Sequence, residues 1–250
     1  MQKHQSSILW ISSILFVLLL SYFKNVTSST YPISGTISIE GEKVTYAFDK
    51  IYRGKESFAV ALRTDNMNLH GILILQKSVP DTIPLTFKNG WLQGKIPLQP
   101  PGTIIKYKVY LQTEKSYRQI PDGVLLSTKF VGSVPNSLSS TYVVLFFIGL
   151  VLSVRIGLAY FGFGGKIKTY ALFTLISFSL CGLFLTPVIR LYEMGAVNTW
   201  VPPMFDMFSL PKLFYAGVWF VISVGMFNSK SKLWYAAGAL FTVAGFLLLN

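Results

Sequence analysis

Residues 142–162 read YVVLFFIGLVLSVRIGLAYFG, an apolar run broken by a single charge, Arg155. At 1.5 Å per helical residue, such a run crosses the roughly 30 Å hydrocarbon core of a bilayer. Towards the C terminus three more apolar segments follow, Thr169–Ile189, Leu213–Phe227 and Leu233–Leu249, the last two short. Towards the N terminus the character changes: residues 31–134 are polar and strand-like, and a further apolar run, Ile8–Phe23, precedes them. This order predicts a membrane protein. Residues 142–250 form an α-helical transmembrane bundle of four helices, and residues 31–134 form an extracytoplasmic all-β domain. Residues 1–28 are either a signal peptide or an N-terminal membrane anchor. The apolar core of that first segment is short for a span and close to a signal sequence in length, yet it lacks a small-residue cleavage site.

Composition agrees. Only 13% of residues are charged and the mean hydropathy is +0.51, whereas a soluble domain carries about 25% charged residues. The net charge of +12 is divided between the β region and the ends of the apolar runs. No basic cluster with interleaved aromatics is present to track a phosphate backbone, so nucleic acid is not an expected partner. Lys3 precedes the first apolar run, Lys166 and Lys168 separate the first two spans, and Lys230 and Lys232 separate the last two. Positive residues favour the cytoplasmic side. They therefore predict a membrane protein with the β domain, the 190–212 loop and the C terminus outside.

Within residues 31–134 the apolar residues recur with period two. Phe58, Val60 and Leu62 alternate with polar or small residues, as do Ile105, Tyr107, Val109 and Leu111. Such alternation gives one buried and one wet face. Asn89-Gly90 before Trp91 is a two-residue hairpin signal, because both positions must accept positive φ. Further strands are predicted at Ile33–Ile39, Lys43–Phe48, Gly71–Gln76, Trp91–Ile96 and Val124–Phe130. The predicted architecture is an immunoglobulin-like β-sandwich with Val60, Leu62, Ile74, Trp91, Tyr107 and Val109 inside. The lysines of Ile104–Thr113 are read as guards of an edge strand or as a basic binding face.

The chemistry available is sparse. The one cysteine, Cys181, lies in an apolar segment, and the two histidines, His4 and His70, fall on opposite sides of the expected membrane. No metal and no cofactor is expected from this inventory. The acids of the β region fall in turns or on wet faces, where solvation explains them. In the membrane module Gly149, Ser153 and Gly157 form a small-residue face for close helix packing. Arg155 points away from that face and is a candidate for either an intramembrane site or snorkelling to headgroups. The segment 190–212 is expected to be an interfacial loop under the β domain. Its candidates are Arg190, Tyr192, Glu193, Trp200, Asp206 and Lys212, with Glu193 and Asp206 paired to Arg190 and Lys212 or to a partner.

Three stretches carry a resemblance: Leu98-Gln99-Pro100-Pro101-Gly102 leading to Lys106–Val109; Lys129–Pro135 ahead of the span with Val154–Leu158; and Thr186–Ile189 leading through Tyr192 and Gly195 to Trp200. Together they resemble a family of uncharacterised bacterial membrane proteins with a sandwich-like outer domain and a C-terminal helical module. The resemblance implies a bacterial setting, and with it the plasma (inner) membrane, and this architecture. Trp200 and Asp206 match the family's outer loop, whereas its histidine is missing here, and no catalytic residue transfers. The functional expectation is a non-catalytic accessory, assembly or scaffold component whose outer domain binds a membrane or extracytoplasmic protein. The alternative is a membrane-embedded enzyme or small-solute transporter with an outer-face site around Arg190, Glu193 and Asp206.

Overall fold

A computed structural model describes residues 2–39, 41–76, 81–112, 117–161, 166–197, 202–229 and 231–249, with side chains from Ser6 onward. The chain divides into two compact units. Residues Ser29–Ser133 with Glu193–Gly195 form one; Met1–Ser28, Val134–Tyr192 and Ala196–Asn250 form the other.

The first unit is all β. Its strands are β1 (Ile33–Ile39), β2 (Glu42–Phe48), β3 (Ile51–Tyr52), β4 (Phe58–Arg63), β5 (Gly71–Leu75), β6 (Asp81–Lys88), β7 (Trp91–Ile96), β8 (Ile104–Gln112), β9 (Tyr117–Ile120) and β10 (Leu126–Phe130). They follow one hydrogen-bonded path, β1-β2-β4-β7-β6-β5-β8-β10-β3, with β9 on β8, and the sheet curls into a half-barrel. Strand β6 makes the bend. Its first half, Asp81–Leu85, pairs with β5, and its second, Thr86–Lys88, pairs with β7. The concave side holds a single apolar core, to which Val44, Phe58, Leu62, Tyr107, Val109 and Phe130 contribute fully buried side chains. At its centre the Tyr107 hydroxyl and Thr128 Oγ1 lie 3.3 Å apart, and Thr128 donates to the Asp49 carbonyl at 2.6 Å. Burial pushes the Tyr107 phenol up to about 12.

The Asn89-Gly90 turn forms as expected, with φ of 51° and 79°, and it closes the β6–β7 hairpin at the Lys88–Trp91 pair. Two interior residues are corrected. Trp91 is 44% exposed and its neighbour Leu92 is buried, because β7 turns Leu92, Gly94 and Ile96 inward. In β5, Leu73 and Leu75 fill the core and Ile74 faces outward, half-buried. That strand is apolar on both faces, so its own pattern does not choose between them. The edge-guard reading of the β8 lysines is also corrected. Strand β8 is interior, with β5 along one side and β10 and β9 in succession along the other.

The second unit is helical. It comprises α1 (Gln2–Thr27), α2 (Asn136–Leu158), α3 (Ile167–Ser179), α4 (Thr186–Glu193), the single turn α5 (Met204–Met207), α6 (Leu210–Asn228) and α7 (Leu233–Leu248). Among the described residues four helical runs are long and apolar enough to cross a membrane: Ser6–Thr27, Asn136–Phe161, Ile167–Glu193 and Leu210–Asn228; α7 is shorter. The small-residue face of α2 packs as expected. A Cβ at Gly149 would stand 2.8 Å from the Phe178 ring, and Gly157 meets Ala239 of α7. The Trp219 indole of α6 donates to Thr242 of α7 at 2.8 Å.

Successive long helices run in opposite directions. Trp10 of α1 meets Tyr170 near the start of α3 and Arg155 near the end of α2. At the other end, Lys24 donates to the Leu247 and Leu249 carbonyls that finish α7, at 3.1 and 3.3 Å. Both connections to residues 29–133 therefore leave from one end of the helix unit. The α1 helix contributes fully buried Ser13 and Val17, although its span is only 11% buried.

Candidate functional site

The helix unit carries two enclosed cations, and each is placed by identifiable elements. The first is Lys212 in the opening turn of α6. Its ammonium lies 5.0 Å from the centre of the Phe146 ring and 5.8 Å from that of Tyr142. Those two rings are one helical turn apart on α2 and stack with an interplanar angle of 10°. Facing them is a π-helical turn, Leu180–Leu185, between α3 and α4. This turn reconciles Pro187 with a helix that continues to Glu193. Across the wider ring the Cys181 carbonyl accepts from the Thr186 backbone N–H and also from Thr186 Oγ1 at 2.7 Å. Cys181 Sγ points to the Tyr142 carbonyl at 3.7 Å. Gly182 lets the Lys212 backbone approach, since a Cβ there would stand 2.9 Å from its carbonyl oxygen. Lys24 and Arg190 act on Lys212 electrostatically, so cations from three helices gather at this end.

The second cation is Arg155. It is 1% exposed, so it does not snorkel along a lipid-facing surface. Its Cζ lies 5.8 Å from the Trp10 ring centre, and the Trp10 ring meets Tyr170 edge-on at 5.5 Å. Its Nε and Nη1 have no hydrogen-bond acceptor among the described residues. A buried guanidinium whose donors lack acceptors carries a desolvation cost, and one cation–π contact near its distance limit returns about 0.5–2 kcal/mol. The ring offsets only part of the burial.

The residues expected in the 190–212 loop separate. Arg190, Tyr192 and Glu193 lie in the last turn of α4 and are half-buried. The Glu193 carboxylate belongs with the β unit and accepts from Arg53 at 3.1 Å, a partner 140 residues away that no local pattern announces. Asp206 is exposed on α5 and forms no ion pair among the described residues. Trp200 lies outside the described residues. What the fold brings together instead is Lys212 with Tyr142, Phe146 and Cys181. Sequence reasoning missed that cluster; the signal that could have found it is the Tyr142/Phe146 spacing of four in α2. Among the described residues no group of three His, Cys, Asp or Glu is placed to hold a metal.

No known protein family, curated protein or solved structure matches the chain. The side chains therefore carry the functional reading.

The β unit presents one further surface. On the outer side of β8, Ile104 and Lys106 are exposed, and Lys108 and Tyr110 half-exposed. Lys129 of β10 stands opposite Ile104, and Ile74 and Ile72 of β5 stand opposite Lys108 and Tyr110. Isoleucines and lysines thus share one open face in the middle of the sheet.

Proposed function

We propose that this protein is a membrane-anchored accessory or scaffold component of the bacterial plasma membrane. In this reading its β unit is an extracytoplasmic, immunoglobulin-like binding module that holds an acidic protein partner. The observation that carries the reading is the open face of β5, β8 and β10, where Lys106, Lys108 and Lys129 alternate with Ile72, Ile74 and Ile104. A strand paired on both sides needs no charged guards, so its lysines are free to serve recognition. The apolar residues between them supply contact area, and an interface of this kind is enriched in aromatics such as Tyr110. The commitment of Glu193 to Arg53 weighs against an outer-face catalytic or transport site built on Arg190, Glu193 and Asp206. The family resemblance carried by Leu98–Gly102, Lys129–Pro135 and Thr186–Trp200 suits the same architecture.

The same reading retains α1 as an anchor. Trp10, Ser13, Val17 and Lys24 all make contacts in the helix unit, which a cleaved signal peptide would not need. The intact mass of the purified protein should include residues 1–28. Orientation follows the lysines: 166, 168, 230 and 232 on the cytoplasmic side, residues 31–134 outside. In intact cells, a membrane-impermeant thiol reagent should label a cysteine placed at position 106 and not one at position 232.

The deciding experiment is affinity purification from cross-linked membranes with wild type and a Lys106→Glu/Lys108→Glu variant. A protein that co-purifies with the wild type and is lost from the variant supports the reading. Equal recovery with both would remove the β8 face from it.

A further inference from the structure

Among the described residues Arg155 is the only charged side chain buried below a tenth of its surface. Among those residues its Nε and Nη1 have no acceptor, and the Trp10 ring stands beside its guanidinium. A guanidinium is planar and its N–H bonds lie in that plane. A ring 5.8 Å away therefore helps to hold the charge without engaging all the donors. The counter-charge does not come from the same unit. Residues 1–28, 134–192 and 207–250 contain no Asp or Glu, and Asp206 is the unit's single acid. Asp206 precedes α6, whose Lys212 stands beside Tyr142, whereas Arg155 lies thirteen residues further along α2, about 20 Å away at 1.5 Å per residue.

We infer that Arg155 binds the phosphate of a membrane phospholipid, received at the end of the helix unit where α2 finishes and α3 begins. Three observations favour a lipid phosphate over a carboxylate on another protein's helix. First, this end is basic. Lys166 and Lys168 open α3, Lys232 opens α7, and Lys168 lies 5.3 Å from the Phe227 ring centre; basic pockets between helices at such an end suit anionic headgroups. Second, the depth suits a headgroup. Arg155 stands six residues before Phe161, where the helical run ends, about 9 Å at 1.5 Å per residue, a gap shared between a long side chain and a headgroup. Third, the helix-facing side is already occupied by α1, whose Trp10 is fixed by Tyr170. A partner helix would have to displace α1, whereas a headgroup enters from the membrane surface. The inference needs the helices to span a bilayer and does not depend on what the β unit binds.

The test begins with the wild-type full chain, purified in a neutral detergent and washed extensively. Phosphorus assay of the extracted lipid should return about one retained phospholipid per chain, the stoichiometry of one guanidinium site; no retained phosphorus overturns the inference with no variant involved. Thermal unfolding is then followed while mixed micelles of phosphatidylglycerol are added. Arg155→Gln should raise the half-saturating lipid concentration about 10- to 100-fold, the worth of a lost charge-assisted hydrogen bond. Arg155→Lys keeps the charge and should retain an intermediate response, and it serves if the Gln variant does not fold. Unchanged lipid retention in either variant would sink the assignment. Equal stabilisation by inorganic phosphate alone would make this a site for a soluble anion. A photo-cross-linker at position 11, beside Trp10, that captured another protein's segment and no lipid would give the counter-charge to a partner carboxylate.

Discussion

Strand β5 offers a sharp test of the β unit because its two faces are chemically alike and only its register separates them. Leu73 is 0% exposed and lies in the core, while Ile74 points outward opposite Lys108. Truncating Leu73 to alanine removes buried methyl groups and leaves a cavity, at a cost of about 2–5 kcal/mol. With a urea slope of about 1–3 kcal/mol per molar, the unfolding midpoint should fall by roughly 1–3 M. Ile74→Ala removes a similar volume from a half-solvated face, where little cavity forms, so its cost should stay under about 1.5 kcal/mol. Pulse proteolysis of the full chain in neutral detergent, over a urea series, reads cleavage within residues 29–133 for both variants. Ile74→Ala costing as much as Leu73→Ala would mean that β5 is paired one residue out of register, with its inner and outer faces exchanged.

Further outcomes are specific. Gly149→Ala forces a Cβ against the Phe178 ring 2.8 Å away and should destabilise the helix unit by about 1–3 kcal/mol; Phe178→Leu should restore part of that loss in a thermal melt, and no rescue would place the clash elsewhere. Tyr107 is held neutral with its phenol near 12, above the usual value of about 10. Its contribution to stability is therefore complete below about pH 10 and fades as pH rises towards 12; the wild-type minus Tyr107→Phe difference in absorbance at 295 nm should show that late titration, and a midpoint near 10 would contradict the burial. Asp122 accepts from Arg118 at 2.9 Å and titrates below the usual carboxylate range because of that bond. Its small contribution should be present at neutral pH and vanish in acid, and Arg118→Gln should return the Asp122 carbon shift titration to an ordinary value. Cys181, 1% exposed, should resist maleimide in detergent until the helices are unfolded.

Much of the β unit was legible because alternation is a local signal. The period in Phe58–Leu62 and Ile105–Leu111 places the correct side chains inside, and Asn89-Gly90 places the turn. Where the signal failed, the cause is identifiable. Strand β5 is apolar on both sides. Strand β6 contains Pro84, which reads as a breaker, yet it sits opposite Ile72 in a strand that changes partner at its middle. Strands β3 and β9, of two and four residues, are too short to display a period. The helical spans were legible from hydropathy, but the second runs on past the expected Ile189 to Glu193, because the polar residues Arg190 and Glu193 in its last turn carry no hydropathy signal. For the candidate site, residue type alone singled out Arg155 and Lys212. Their surroundings were hidden, since Trp10, Tyr142 and Cys181 reach them from other helices. The Glu193–Arg53 pair was invisible for the same reason.

The π-helical turn has a geometric consequence beyond accommodating a proline. It holds one more residue than an α-helical turn would, so everything after it is dialled round by about 100°. Arg190 and Tyr192 consequently occupy a different compass bearing from the one their distance from Tyr170 would give on an unbroken helix. A one-residue deletion between Leu180 and Leu185 would restore the regular ladder while leaving composition and hydropathy almost untouched. It would swing Arg190 away from Lys212 and carry Cys181 and Thr186 out of their present relation. The segment thus acts as a phase shifter, and the aim of α4 is stored in the count of residues before it, not in their polarity.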